Sequence, residues 1–286
     1  DAPREIERQH EAWAPWNPAA GFFHFSTKDV PFEPDHARAE QEFRRHVRTH
    51  PMPSIVRTRP GAAWTALPPA ARDGEYRRVL EGRRTWRRFA RKPVDVTSLG
   101  TLLDLTFRIR RYMDVEGLGR VALKTSPSGG ARHPLEAYVL AVNVKGLPRG
   151  LYHYRPDRHG LERLSRTATP KQVESYLPSQ YWYRGAAALV LMTAVFERSW
   201  WRYDYARGYR AVLIEAGHFC QTFLLTATWL GLAPFCSMAL ADSLIERDLG
   251  IDGVTESVLY AAGVGVRPPG VDWAPTPAPK RGRMSR

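Results

Sequence analysis

The sequence predicts an α+β fold, with one long helix buried against a sheet, on three observations. Residues 186–196 (A-A-A-L-V-L-M-T-A-V-F) form an almost unbroken apolar run of strand length, as a strand covered on both faces must. Residues 151–154 and 161–164 flank Pro156, Asp157 and Gly160, the pattern of a hairpin. Residues 209–230 are apolar almost all round and stop at Gly231, the pattern of a helix in the middle of a protein.

The other elements follow in chain order. Residues 1–74 are rich in Trp, His and Pro without a clean period and are expected to form an irregular N-terminal arm that wraps a body. The body spans 75–267. It begins with a helix carrying Tyr76, Val79 and Leu80, which runs into R-R-T-W-R-R-F at 83–89. A second helix, capped by Asp95 or Thr97, places Leu99, Leu102, Leu103 and Thr106 at helical spacing. Residues 136–144 (E-A-Y-V-L-A-V-N-V) read as a strand leading to the hairpin and the buried run. After the long helix, a Gly-Leu-Ala-Pro turn precedes F-C-S-M at 235–238. Asp242 caps a short helix ending at Gly250, and 257–266 is the last strand. The Pro-rich basic tail, 268–286, is expected to be disordered.

At 286 residues and 43% hydrophobic content, with nine Trp, the chain has material for one sizeable core. No segment approaches the roughly 18 consecutive apolar residues of a membrane helix, and D-A-P-R-E-I-E-R-Q-H lacks the apolar region of a signal peptide. Cys220 and Cys236 are the only cysteines and have no metal spacing. A disulfide scaffold is therefore excluded, and a reducing cytoplasm is the expected location. The net charge of +13 suits an acidic partner or an anionic cofactor. Its basic residues are spread along the chain and no recognition motif accompanies them, so nucleic acid is not expected. There is no internal repeat, G-x-G-x-x-G, Walker loop, H-E-x-x-H or G-x-S-x-G.

Three clusters carry chemistry. Residues 125–138 (T-S-P-S-G-G-A-R-H-P-L-E-A-Y) run from Ser126, Pro127 and Ser128 through Gly129 and Gly130 into a strand. The paired glycines let a ligand lie against the main chain, and the turn suits either a phosphate or the edge of a planar ring. Arg83, Thr85 and Arg87 share a face if 83–89 is extended, and guanidinium forks bind phosphate bidentately; a solvated basic face is the alternative. Residues 200–210 (W-W-R-Y-D-Y-A-R-G-Y-R) interleave aromatics with arginines. There Arg202 stands beside Tyr203, a cation that favours the phenolate, with aromatic packing on arginine stems as the alternative. His133 and Glu136 belong to the loop region, whereas His218, on the long helix, reads as a core histidine.

In this order, the blocks R-R-T-W-R-R-F, T-S-P-S-G-G-A-R-H-P-L-E-A-Y, G-L-Y-H-Y-R-P-D-R-H-G-L-E, R-Y-D-Y-A-R-G-Y-R with E-A-G-H-F-C-Q-T, and L-G-I-D-G-V-T-E resemble the FMN-dependent nitroreductase superfamily, specifically its SagB-type branch. The likeness covers about residues 51–267, with P-M-P…R-P-G-A-A-W…L-P-P as its lead-in. It implies a nitroreductase-like fold: a central, mostly antiparallel sheet flanked by helices, with the long central helix in a homodimer core. It further implies FMN, with the phosphate and ribityl on Arg83, Arg84, Thr85 and Arg87, completed by Arg267. Pro127, Ser128, Gly129 and Gly130 would border the isoalloxazine, with Cys236 and Ser237 close by, and each pocket would draw on both chains.

The branch also implies an azoline dehydrogenase acting on a ribosomally made peptide, alongside a partner cyclodehydratase. Members usually carry a Lys-Tyr pair where this chain reads Arg202-Tyr203. Arginine stays protonated near neutrality, so Tyr203, acidified by Arg202, is the expected base. Two other readings stand beside this one. One is an NAD(P)H-dependent nitro or quinone reductase of the same fold, and the other a flavin-free peptide-binding scaffold.

Overall fold

The structure is a computed structural model and describes residues 2–31, 35–50, 67, 74–116 and 119–271. Helices α1 (Ala2–Trp13) and α2 (Asn17–Ser26) are joined by a 3-10 turn at Ala14–Trp16, and α3 (His36–Thr49) follows. After α4 (Glu75–Gly82) and an extended segment come β1 (Val94–Asp95), α5 (Val96–Phe107) and a hairpin of β2 (Arg111–Val115) and β3 (Gly119–Leu123). Then follow β4 (Leu135–Ala141), β5 (Val144–Lys145), β6 (Gly150–Arg155), β7 (Gly160–Ser165) and α6 (Pro170–Tyr176). The chain continues through β8 (Ala188–Val195), α7 (Glu197–Trp200), α8 (Gly208–Trp229), β9 (Leu232–Ser237), α9 (Asp242–Leu249) and β10 (Glu256–Val266).

Six strands form one sheet in the order β7-β6-β4-β8-β10-β9, antiparallel at every pairing. The apolar run is its spine. In β8, Ala188, Val190, Met192 and Ala194 pack toward α5, α8 and the N-terminal helices. Leu189 and Leu191 pack toward α6 and α9. Helices thus cover both faces, which is why the strand carries no polar alternation. Asp95 caps α5 by accepting the Thr97 N–H at 2.9 Å. Gly231 (φ 71°) and Gly250 (φ 74°) end α8 and α9 in the left-handed conformation.

Four expectations change. The described part of the arm is helical rather than irregular. Pro18 and Gly21 obscured its period, but Pro18 lies in the first turn of α2, where its missing N–H has no helical partner, and Gly21 lets Trp13 pack against the helix. The strand expected to reach residue 144 stops at Ala141. There the Val142 and Asn143 N–H groups converge on the Ala187 carbonyl, both at 2.9 Å, and turn the chain so that β5 pairs with β1. The Leu-Ala-Pro turn is the start of β9, a sheet-edge strand that tolerates Pro234. At α9 the carboxylate that caps the helix comes from the arm, because Asp29 accepts the Ser243 N–H at 3.0 Å. The lead-in at 51–66 and the tail at 272–286 lie outside the described residues. Among the described residues no helix is long and apolar enough to cross a membrane.

Candidate functional site

Residues 128–133 form a strained turn built for close approach. Gly130 (φ 58°), Ala131 (φ 52°) and His133 (φ 45°) all occupy the left-handed region, costly outside glycine. Local bonds hold it there. Ser128 Oγ accepts the His133 N–H at 2.8 Å, and Arg132 Nε donates to the Gly130 carbonyl at 3.0 Å. Ser126 is tied to Thr222 on α8 at 2.7 Å, and Arg198 donates to the His133 carbonyl at 3.1 Å.

Opposite this turn stands the Arg202-Tyr203 pair. A Cβ on Gly130 would lie 2.7 Å from the Tyr203 hydroxyl and 2.7 Å from Arg202 Cδ, so any larger residue at this left-handed position has to displace those side-chain ends. The Arg202 guanidinium is 5.7 Å from the Tyr203 ring centre. Two features separated by more than seventy residues therefore form one constellation. Their backbone anchor lies in the arm: Trp16 is fully buried, and its indole N–H reaches the Tyr203 carbonyl.

The arginine element is extended, as its spacing predicts. Trp86 N–H donates to Pro234 O and Ala90 N–H to Val266 O, both at 2.9 Å, which lays 83–90 along β9 and β10. Arg83 faces Cys220 and Cys236 closely enough for its charge to act on both thiols. A hydrogen bond from Cys220 holds the Cys236 thiol below the usual range, helped by the Tyr260 hydroxyl at 3.3 Å and by Arg83, while Cys220 is pushed up. Arg87 acts on Tyr183, which stacks on Phe235 at 3.8 Å. Thr85 is half-buried between them.

Arg84 turns to the other side, over Trp86 at 4.1 Å, and Arg267 approaches the same ring at 5.5 Å. Arg267 donates to the Leu232 carbonyl at 2.8 Å and to the Thr228 carbonyl, in the last turn of α8, at 3.1 Å. Burial lowers the pKa of both guanidiniums, and Arg84 lowers that of Arg267 further. Two like charges gathered at one ring are a fitting seat for a phosphate dianion. Cys236 is half-buried, while Ser237 is buried, donating to Gln180 at 2.7 Å and accepting the Ala239 N–H at 3.1 Å.

The predicted residues are spread along α8, with Ser126 tied to Thr222 and Arg83 facing Cys220 in its middle. Gly129 lies against Ala211 in its first turn; Arg267 reaches Thr228 in its last. At 1.5 Å per residue these points are roughly 25 Å apart.

One group escaped the sequence reading. Lys124 lies 5.5 Å from the Phe219 ring centre, and burial pushes its ammonium down to about 8, against the opposing pull of Glu136 and Glu215. Beside it, His133 Nδ1 and Glu215 Oε1 face each other at 3.7 Å, both buried without a hydrogen-bond partner. Glu136 is held by His153 at 2.8 Å and by Arg198 at 2.5 Å. No local signal marked Lys124, since only tertiary packing removes it from water. His218, read as a core residue, is exposed. Among the described residues no three metal-ligating side chains cluster.

Comparison with known proteins follows this layout. The Nitroreductase family model matches residues 80–266. The trifolitoxin-processing protein TfxB of Rhizobium leguminosarum bv. trifolii is 34% identical over 143 residues, 48% of this chain and 38% of TfxB, so the chain spans well under half of that relative. The candidate nitroreductase MJ1384 of Methanocaldococcus jannaschii is 32% identical over 173 residues, 60% of this chain and 83% of MJ1384. In fold, a chain of the E. coli microcin synthetase McbBCD complex with truncated pro-MccB17 bound superposes with a TM-score of 0.60 at 21% identity, covering 85% of this chain and 86% of its own.

Proposed function

The chain belongs to the nitroreductase family, and from that premise we propose that it is an FMN-dependent dehydrogenase of the SagB type that oxidises an azoline or a related group in a peptide. The observation that carries this reading is the contact of Gly130 with Arg202 and Tyr203. It sets the Tyr203 hydroxyl against the glycine turn. The resemblance to TfxB, a trifolitoxin-processing protein, supports peptide maturation, and the fold shared with the microcin synthetase complex agrees with it.

In this reading Arg83, Arg84, Thr85 and Arg87 hold the phosphate and ribityl of FMN, with Arg267 closing the phosphate end. Pro127, Ser128, Gly129 and Gly130 would border the ring, and Cys236 and Ser237 would contribute to the same cofactor site. Bound FMN would supply the two-electron acceptor for the hydrogen leaving one substrate carbon. Tyr203 Oη takes the proton from the neighbouring carbon, with the Arg202 guanidinium 5.7 Å from its ring centre.

The proposed assembly is a homodimer in which each pocket draws on both chains. Leu213 and Ile214, 39% and 59% exposed on α8, are apolar surface suited to that contact. A peptide substrate and a partner cyclodehydratase complete the proposal.

The test is a purified sample. It is expected to carry the flavin spectrum, to turn over an azoline peptide without NAD(P)H, and to lose that turnover in Tyr203→Phe with the flavin retained. A colourless protein that takes up no FMN, or an undiminished Tyr203→Phe, defeats the reading. The coverage of MJ1384 favours the second reading, a nitro or quinone reductase. Flavin bleaching by NADPH in the absence of peptide is its signature.

A further inference from the structure

Beneath the β2–β3 hairpin lies a cavity of about 810 Å³, within the size range of small-ligand pockets. Apolar walls from Ile109, Pro156 and Val195 alternate with charged side chains. Among the latter, Arg155 is neutralised by Asp157 and Glu162, and Arg198 by Glu136. Arg120, Lys124 and Arg132 differ. Each lies against an aromatic ring and makes no salt bridge among the described residues: Arg120 over Tyr112 at 4.3 Å, Lys124 by Phe219 at 5.5 Å, where Glu136 and Glu215 act on its charge from further off, and Arg132 by Trp201 at 5.0 Å.

A guanidinium or ammonium parked on a ring keeps most of its N–H donors, because the ring engages the cation's face and not its hydrogens in the plane. Three such cations around one cavity form a receptor for a carboxylate. Tyr112 and Trp201, 46% and 64% exposed, offer flat apolar surface for the chain that carries it. The cavity shares elements with the candidate active site: Ala131 and Arg132 line it from the strained turn, and Trp201 directly precedes Arg202.

We propose that this cavity binds an acidic residue of the peptide substrate, with Arg120, Lys124 and Arg132 taking its carboxylate and Tyr112 and Trp201 covering the adjoining backbone. The assignment rests on the peptide-dehydrogenase reading and adds to it a substrate feature, a carboxylate near the reacting group. Burial has already removed most water from Lys124. An arriving carboxylate therefore meets a poorly hydrated cation, where attraction is stronger than at the surface.

The assay is fluorescence anisotropy on the full chain with two labelled hexapeptides, one carrying two glutamates and the other glutamines in their place. The glutamate peptide is expected to bind at least tenfold tighter. That preference is expected to shrink severalfold in Arg120→Gln, an exposed hairpin position that leaves the core untouched, and to vanish in Arg120→Gln with Arg132→Gln. Arg247→Gln, which removes the same charge from α9, is expected to leave it unchanged. Equal binding of the two peptides overturns the proposal, as does a preference that survives the double substitution or falls equally in Arg247→Gln. Flavin absorbance read from the same samples separates the two levels. Selective binding without flavin counts against the dehydrogenase reading and upholds the cavity, whereas flavin without selective binding sinks the cavity alone.

Discussion

The indole N–H of Trp16 donates to the backbone carbonyl of Tyr203 at 2.8 Å. One partner belongs to the N-terminal arm, the other to the loop that presents the proposed base, 187 residues later. Gly208 makes room for the contact: a Cβ there would sit 2.9 Å from Trp16 Nε1 and 3.0 Å from the Tyr203 carbonyl. The arm therefore acts on the reaction through position, by fixing the peptide unit from which Tyr203 projects.

Trp16→Phe keeps an aromatic among Trp13, Phe196, Trp200 and Tyr209 but removes the donor. The expected stability loss is about 1 kcal/mol, from the lost hydrogen bond to a part-buried carbonyl. Turnover is expected to fall with KM little changed. Thermal melts and steady-state kinetics measure the two effects separately, and a change confined to KM contradicts the positioning role.

Gly130→Ala meets two obstacles, a left-handed backbone and the Tyr203 hydroxyl. Its stability cost is about 1–2 kcal/mol, whereas turnover should drop on the order of 100-fold because the Tyr203 side chain must move. Gly129→Ala has ordinary van der Waals space against Ala211 and Tyr203 and no positive φ, so it serves as the mild control.

Buried His24 in the arm and half-buried Asp242 beneath it titrate with opposite signs. Burial, then Lys28, holds the His24 imidazole down to about 3, so the folded arm rejects a proton that the unfolded chain accepts below about 6.5. Stability from His24 is thus lost as pH falls through that window. Burial pushes Asp242 up to about 6, which stabilises the acid side and fades as pH rises through that value. In Asp242→Asn only the His24 contribution remains. The arm of that variant should be weaker at pH 5 than at pH 7 by about 2 kcal/mol, with a smaller change in the unaltered protein. Protease cleavage of the arm against pH reads the difference.

Lys124 gives the acidic-peptide cavity a pH signature. Its ammonium, placed near 8 by burial, is faced by Glu136 from β4, Glu215 from α8 and Arg198 from α7. Below that pH it is charged and draws the carboxylate. Above it the charge is gone, so affinity for the glutamate peptide should fall severalfold from pH 7 to pH 9. Lys124→Met should flatten that profile while the glutamine peptide is unaffected.

Cys236 is expected to react with iodoacetamide at a pH where an ordinary thiol is mostly protonated, because Cys220, Tyr260 and Arg83 favour its thiolate. Cys220, buried and pushed the other way, should stay unlabelled. Arg83→Gln should slow the Cys236 reaction, and mass spectrometry of the labelled peptides reports both sites.

What the sequence revealed and concealed divides along a physical line. The buried strand at 186–196, the helix ended by Gly231 and the hairpin at 151–164 were legible because local pattern and tertiary need coincide there. The helices of the arm were not, since Pro18 and Gly21 interrupt the period and their partners, Phe196 and Tyr209, lie far along the chain. Within the site, the Gly129-Gly130 turn and Arg202-Tyr203 could each be singled out by residue type. Their contact could not, because it depends on how α8 sets one against the other. Lys124 was illegible for the opposite reason: a lysine acquires its chemistry from what surrounds it, and nothing adjacent in sequence foretells Glu136, Glu215 and Phe219.

The strand order carries a consequence for synthesis. β10 lies between β8 and β9, and β9 joins the sheet only through it. A chain emerging from the ribosome therefore presents an unpaired edge on β8, and a β9 with no strand to join, until residues 256–266 have cleared the exit. The sheet closes last from the C-terminal side, so a nascent chain stalled before residue 256 should remain protease-sensitive at β9 although most of the core is already made.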